Sequence, residues 1–97
     1  MPMQLTVTVN LLGMRLFQVR RDAMELTIDG QPTLAQVIDL VDDQNPGFRQ
    51  AVLDQAGGLS KQIAVLINGD NAQFRGGPNA SLADNDVINV IPALAGG

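Results

Sequence analysis

Apolar and polar residues alternate with a period of two through Met3-Gln4-Leu5-Thr6-Val7-Thr8-Val9-Asn10. That spacing predicts a half-buried strand with Leu5, Val7 and Val9 turned inward. Met24-Glu25-Leu26-Thr27-Ile28-Asp29 alternates in the same way. It predicts a second strand, antiparallel to the first when the intervening residues turn back. Between the two, Gly13 breaks the pattern, and Leu16, Phe17 and Val19 either extend a hairpin or pack beneath a loop. The period then changes. Leu34, Val37, Ile38 and Val41 fall at i, i+3, i+4 and i+7, which is one face of a helix. Thr33-Leu34-Ala35-Gln36 has the form of a capping box at its start. Pro46 disfavours helical geometry before it, so the helix is expected to stop near Asn45. Asn45-Pro46 is then expected to cap a short second helix carrying Phe48, Ala51, Val52 and Leu53, ended by Gly57-Gly58. Ile63-Ala64-Val65-Leu66-Ile67 is an unbroken apolar run of strand length; a central strand is the natural reading, although period alone does not exclude a helix. Asn68-Gly69 supplies turn chemistry after it. A loop-rich stretch with one short strand follows, in which Phe74 and Leu82 read as isolated plugs of the core. Asp84-Asn85-Asp86 turns the chain into a last strand, Val87 to Ile91.

The order strand, strand, helix, strand, short strand, strand predicts an α+β fold, a mixed sheet packed on one main helix. The first and last strands are expected side by side as a central parallel pair. Residues 1–97 suit one domain, with no internal repeat and no boundary. Composition narrows the chemistry. The chain has no Cys and no His, so a thiolate nucleophile, a disulfide and the commonest metal ligands are absent. Neither an EF-hand spacing nor an Asp cluster suggests a hard-cation site, and no metal is expected. Asp39, Asp42 and Asp43 lie largely on the polar side of the helix and read as a solvated face. Gly76-Gly77-Pro78 lacks the Lys-Ser/Thr pair and helix start of a phosphate loop. The formal net charge of −4 disfavours nucleic acid as a partner. Arg15, Arg20 and Arg21 hold half of the six basic residues; they read as a solvated loop face or as a docking patch for an acidic surface or a phosphate. No apolar run has the length of a membrane span, and the N-terminus lacks the features of a signal peptide, so a cytoplasmic protein is expected. A reagent or adaptor is expected rather than an enzyme.

The last residues carry the chemical signal. After the final strand come Pro92 and the small-residue run Ala93-Leu94-Ala95-Gly96-Gly97. Glycines have no side chain and thread narrow channels. The tail 92–97 is therefore shaped for insertion, with Leu94, Ala95 and Gly96 as threading residues and the Gly97 carboxylate as the reacting group. Incidental glycines at a frayed end are the bland alternative.

The run Leu82-x-Asp84-x-Asp86-x-Ile88-x-x-x-Pro92-x-x-x-Gly96-Gly97, with Asn68-Gly69 after an apolar strand, resembles the MoaD/ThiS sulfur carriers, which are ubiquitin-like proteins of the β-grasp fold. Asn85 stands where many members have glycine, and Ala93 where many molybdopterin synthase small subunits have a second proline. Phe74-Arg75-Gly76-Gly77 and the Ala-Leu-Ala-Gly-Gly ending look closer to carriers of a cysteine-forming pathway. The resemblance implies that an E1-like adenylating enzyme uses ATP to activate Gly97. A sulfur donor then displaces AMP and leaves a thiocarboxylate. The acceptor is a synthase of the molybdopterin synthase large-subunit or cysteine synthase type, with thiamine formation a further option. It implies no permanently bound cofactor. A ubiquitin-like modifier conjugated through Gly97, or a non-catalytic assembly module, are the competing readings. Strand parity adds a docking face. With Ile63, Val65 and Ile67 inward, Ala64 and Leu66 face outward; with Ile88 and Val90 inward, Val87, Asn89 and Ile91 share that open face. Leu66 and Ile91 are the expected partner contacts at the root of the tail, and Phe74 is a third candidate.

Overall fold

A computed structural model describes residues 4–11 and 23–92. Its sheet has five strands: β1 (Gln4–Leu11), β2 (Ala23–Asp29), β3 (Ile63–Ile67), β4 (Asp70–Asn71) and β5 (Val87–Pro92), in the order β2-β1-β5-β3-β4. β1 and β2 are antiparallel, with Val7 opposite Leu26. β1 and β5 run parallel at the centre, with Val9 opposite Ile88, and β3 runs antiparallel to β5 on its other side. The expected central parallel pair is therefore present. Two helices, α1 (Leu34–Gln44) and α2 (Phe48–Val52), lie in the crossover between β2 and β3. The arrangement is the β-grasp fold.

The periodicities decide which residues meet. Val7, Val9 and Leu11 of β1, Met24 and Leu26 of β2, and Ile63, Val65 and Ile67 of β3 are buried. With Ile88 and Val90 they form one cluster with Leu34, Val37, Ile38 and Val41 of α1. Each such side chain contributes about 1.5–3 kcal/mol when fully buried. The start of α1 is a capping box: Thr33 Oγ1 accepts from the Gln36 amide at 3.4 Å, and Gln36 Oε1 accepts from the Thr33 amide at 2.8 Å. Asn45 closes the helix, its amide donating to the Val41 carbonyl at 2.8 Å.

Four expectations are corrected. The cap position of α2 is held by neither Asn45 nor Pro46, although the Asn45 carbonyl accepts from the Phe48 amide at 3.1 Å. Gly47 occupies the cap position with φ 101° and offers no side chain. Asp42 supplies the missing acceptor from the last turns of α1, taking the amides of Gly47 at 3.1 Å and Arg49 at 3.0 Å. So one carboxylate of the face read as solvated stitches the two helices together. Leu53 lies just beyond α2, in an isolated bridge to Leu59. Finally, Leu82 is a core plug but Phe74 is not: it stands 88% exposed. Phe74 sits in a 3-10 turn, Ala72–Arg75, whose inward position is taken by the fully buried Ala72. A turn of three residues has one inward position, and the small residue occupies it.

Candidate functional site

The described part of the site is the strand that leads to the tail. β5 is started by a clasp of polar groups. Asn68 and Gly69 form the β3–β4 turn with φ of 52° and 90°, the left-handed pair that a two-residue hairpin requires. In that pose Asn68 faces the start of β5. Its amide donates to the Val87 carbonyl at 2.8 Å, and its Oδ1 accepts from the Val87 amide at 2.9 Å. Its Nδ2 donates to Asp86 Oδ1 at 2.7 Å, while Asp86 Oδ2 accepts from the Ala83 amide at 2.7 Å. Asp86 is 6% exposed, so these partners replace the water it has lost.

The same turn is tied to β1. Asp84 Oδ1 accepts from the Thr6 amide at 2.8 Å, and the Asn85 amide donates to the Thr6 carbonyl at 2.7 Å. The Thr8 amide donates to the Asp86 carbonyl at 3.0 Å. Asn85 has φ 68°, a left-handed conformation that glycine and asparagine tolerate best. This explains why asparagine can replace glycine at that position. The Asp84-x-Asp86 and Asn68-Gly69 signatures are thus structural: together they launch β5 between β1 and β3. β5 ends at Pro92, opposite Ile63.

The strand faces are as expected. Ile63, Val65, Ile67, Ile88 and Val90 are buried, whereas Ala64, Leu66, Val87, Asn89 and Ile91 are half-buried on the opposite face. Register refines the apolar spot. Ile91 lies opposite Ala64, and Leu66 lies opposite Asn89. Leu66 and Ile91 are therefore diagonal neighbours, within reach of long side chains. One feature of this face escaped sequence reasoning. Asn10 Nδ2 donates to Asn89 Oδ1 at 2.8 Å across the parallel pair. The signal was available: Asn89 interrupts an apolar strand, and Asn10 has the same outward parity in β1. Phe74 is exposed rather than part of the core. Leu94, Ala95, Gly96 and Gly97 lie outside the described residues, as do Arg15, Arg20 and Arg21. Among the described residues no group of His, Cys, Asp and Glu is placed to hold a metal, and no helix is long and apolar enough to cross a membrane.

Comparison with known proteins gives this geometry its context. The model of the ThiS family matches residues 14–97. The sulfur carrier protein CysO of Mycobacterium tuberculosis is 30% identical over 67 residues, which cover 67% of this chain and 72% of that protein. A solved complex of BexX and CysO from Amycolatopsis orientalis contains a chain 29% identical, with a TM-score of 0.75, covering 94% of this chain and 99% of that one. SAMP1 from Haloferax volcanii superposes with a TM-score of 0.74 at 21% identity, over 95% of this chain and 99% of that one, a likeness of fold. The chain is accordingly a member of the ThiS family, a ubiquitin-like β-grasp protein of the sulfur-carrier type.

Proposed function

We propose that the protein carries sulfur as a thiocarboxylate on Gly97 and delivers it to a biosynthetic synthase. The observation that supports this most is the launch of β5. A central strand, clasped at its start and paired to Ile63 at its end, reaches Pro92 only five residues before Gly97. Fully extended, five residues span at most about 18 Å. A rigid body of this kind presents a slim terminus to a partner's active site while the domain itself stays outside.

The chemistry follows from the carboxylate. At neutral pH it is ionised and a poor electrophile. An E1-like partner lets a Gly97 oxygen attack the α-phosphate of ATP, releasing pyrophosphate and forming an acyl adenylate. Hydrosulfide from a sulfur donor then attacks the acyl carbon, the carbon–oxygen bond to AMP breaks, a proton is lost, and a thiocarboxylate remains. Neither step draws a catalytic group from this chain. Its contribution is the tail, with Leu94, Ala95 and Gly96 threading the channel, and a docking face around Leu66 and Ile91, with Phe74 a further contact. Likeness to the CysO carriers favours a cysteine-forming acceptor over a molybdopterin or thiamine route. The test is ATP–pyrophosphate exchange with the activating enzyme. Deleting Gly97 is expected to abolish exchange and leave the melting curve unchanged. Normal exchange by the shortened chain overturns the proposal.

A further inference from the structure

We infer that Asn68 is a self-modification site: its side-chain amide is lost through a cyclic imide formed with Gly69, and the product loosens the start of β5. The inference is independent of the sulfur-carrier reading, because it concerns the clasp and not the tail. Of the chain's asparagines only Asn68 is followed by glycine; the others precede Leu, Pro, Ala, Asp or Val. Ring closure brings the backbone nitrogen of the next residue onto the asparagine Cγ, and a side chain on that residue obstructs the approach. Gly69 offers no such obstacle. It has φ 90°, and even a Cβ placed there would meet nothing within 4 Å. It also lies outside the β3–β4 ladder, which closes at Ile67 and Asp70. Asn68 and Gly69 are both exposed, so water reaches the bonds to be broken.

The fold restrains the reaction. Asn68 Oδ1 accepts from the Val87 amide at 2.9 Å and Nδ2 donates to Asp86 Oδ1 at 2.7 Å, so the carboxamide is held toward β5 by both of its polar atoms. It has to release Asp86 and Val87 before it turns back on its own chain. The rate then follows the fraction of time that the clasp stands open. In the first step the Gly69 nitrogen attacks Cγ, the bond from Cγ to Nδ2 breaks, and ammonia leaves with the proton of the Gly69 nitrogen. In the second, water adds across one of the two carbon–nitrogen bonds of the imide. Opening at Cγ leaves aspartate. Opening at the backbone carbonyl leaves isoaspartate, in which the main chain runs through Cβ and Cγ. Either product undoes the clasp. Aspartate sets an oxygen where Nδ2 met Asp86 Oδ1 at 2.7 Å, and two carboxylates at that distance repel. Isoaspartate lengthens a turn that the left-handed pair at φ 52° and 90° closes in two residues.

The intact protein, held in mildly alkaline buffer with and without urea, provides the rates. Peptide mass spectrometry reads them as the replacement of one side-chain amide by a carboxyl. Conversion is expected at Asn68 ahead of every other asparagine, and about tenfold or more faster in unfolding urea than in the fold. Asp86→Ala opens the clasp from its other side and is expected to raise the native rate about tenfold, with the rate in unfolding urea unchanged. Should that variant not fold, sub-denaturing urea on the unsubstituted protein takes its place, and the rate is expected to climb with urea concentration. Asn68→Asp reproduces one product and is expected to speed hydrogen exchange at the Val87 amide by about tenfold. No conversion at Asn68 in urea overturns the inference, as does another asparagine converting first. So does a rate that neither urea nor the opened clasp changes, or an Asn68→Asp variant whose Val87 exchange matches that of the unsubstituted protein.

Discussion

Asp86 is the side chain on which the launch of β5 depends most. Replacing it with alanine removes the charged acceptor of two part-buried hydrogen bonds, from the Asn68 side chain and the Ala83 amide. Hydrogen bonds to a charged group contribute about 1.5–3 kcal/mol. We expect Asp86→Ala to lose about 2 kcal/mol in urea denaturation. Asn68→Ala is expected to lose less than additively in its presence, since both act in one network. Asn85→Gly, by contrast, should change stability by less than about 0.5 kcal/mol, because φ 68° suits glycine. These roles were only partly legible in the sequence. Asn68-Gly69 and Asp84-Asn85-Asp86 each read as a turn on local grounds. That they grip each other depends on β3 and β5 becoming neighbours, which local chemistry does not encode. Phe74 failed for a related reason: hydrophobicity alone argues for burial, but the single inward position of its turn already holds Ala72.

At the scale of elements, the strong periodicities carried furthest. β1, β2, α1 and the faces of β3 and β5 follow directly from patterns of two and 3.6, because each side chain's direction is set by its own backbone. Thr33→Ala should cost about 1 kcal/mol, a usual value for a lost cap, measured by chemical denaturation. A null result would place the origin of helix stability elsewhere than in the capping box. The short helix was less legible. Its capping carboxylate, Asp42, belongs to another helix, and no local motif records a contact made across a bend. The open face yields a prediction that separates docking from folding. Leu66 is only half-buried, so Leu66→Ala should lower stability by about 1 kcal/mol or less while weakening binding to the activating enzyme by about 1–2 kcal/mol. A stability loss of the 2–5 kcal/mol typical of core truncations would show that the sheet face is covered in solution.

The whole molecule is a scaffold that turns a one-dimensional signature into a position in space. The two signature turns fasten β5 to both neighbours, and the crossover carrying α1 and α2 returns the chain for β3 to complete the sheet around it. The fold was legible because the order of elements admits few sheets of this size with a helix on one side. The proposed chemistry was legible only as an expectation, since it is assigned to residues 93–97, which lie outside the described residues. The most direct test is therefore intact mass spectrometry of the purified protein after incubation with the proposed E1-like enzyme, ATP and a sulfur source, followed by mapping of the C-terminal peptide. The account predicts a mass gain equal to the exchange of one oxygen for sulfur, located on Gly97 and lost when ATP is withheld. An unchanged mass, or sulfur found on any other residue, contradicts it.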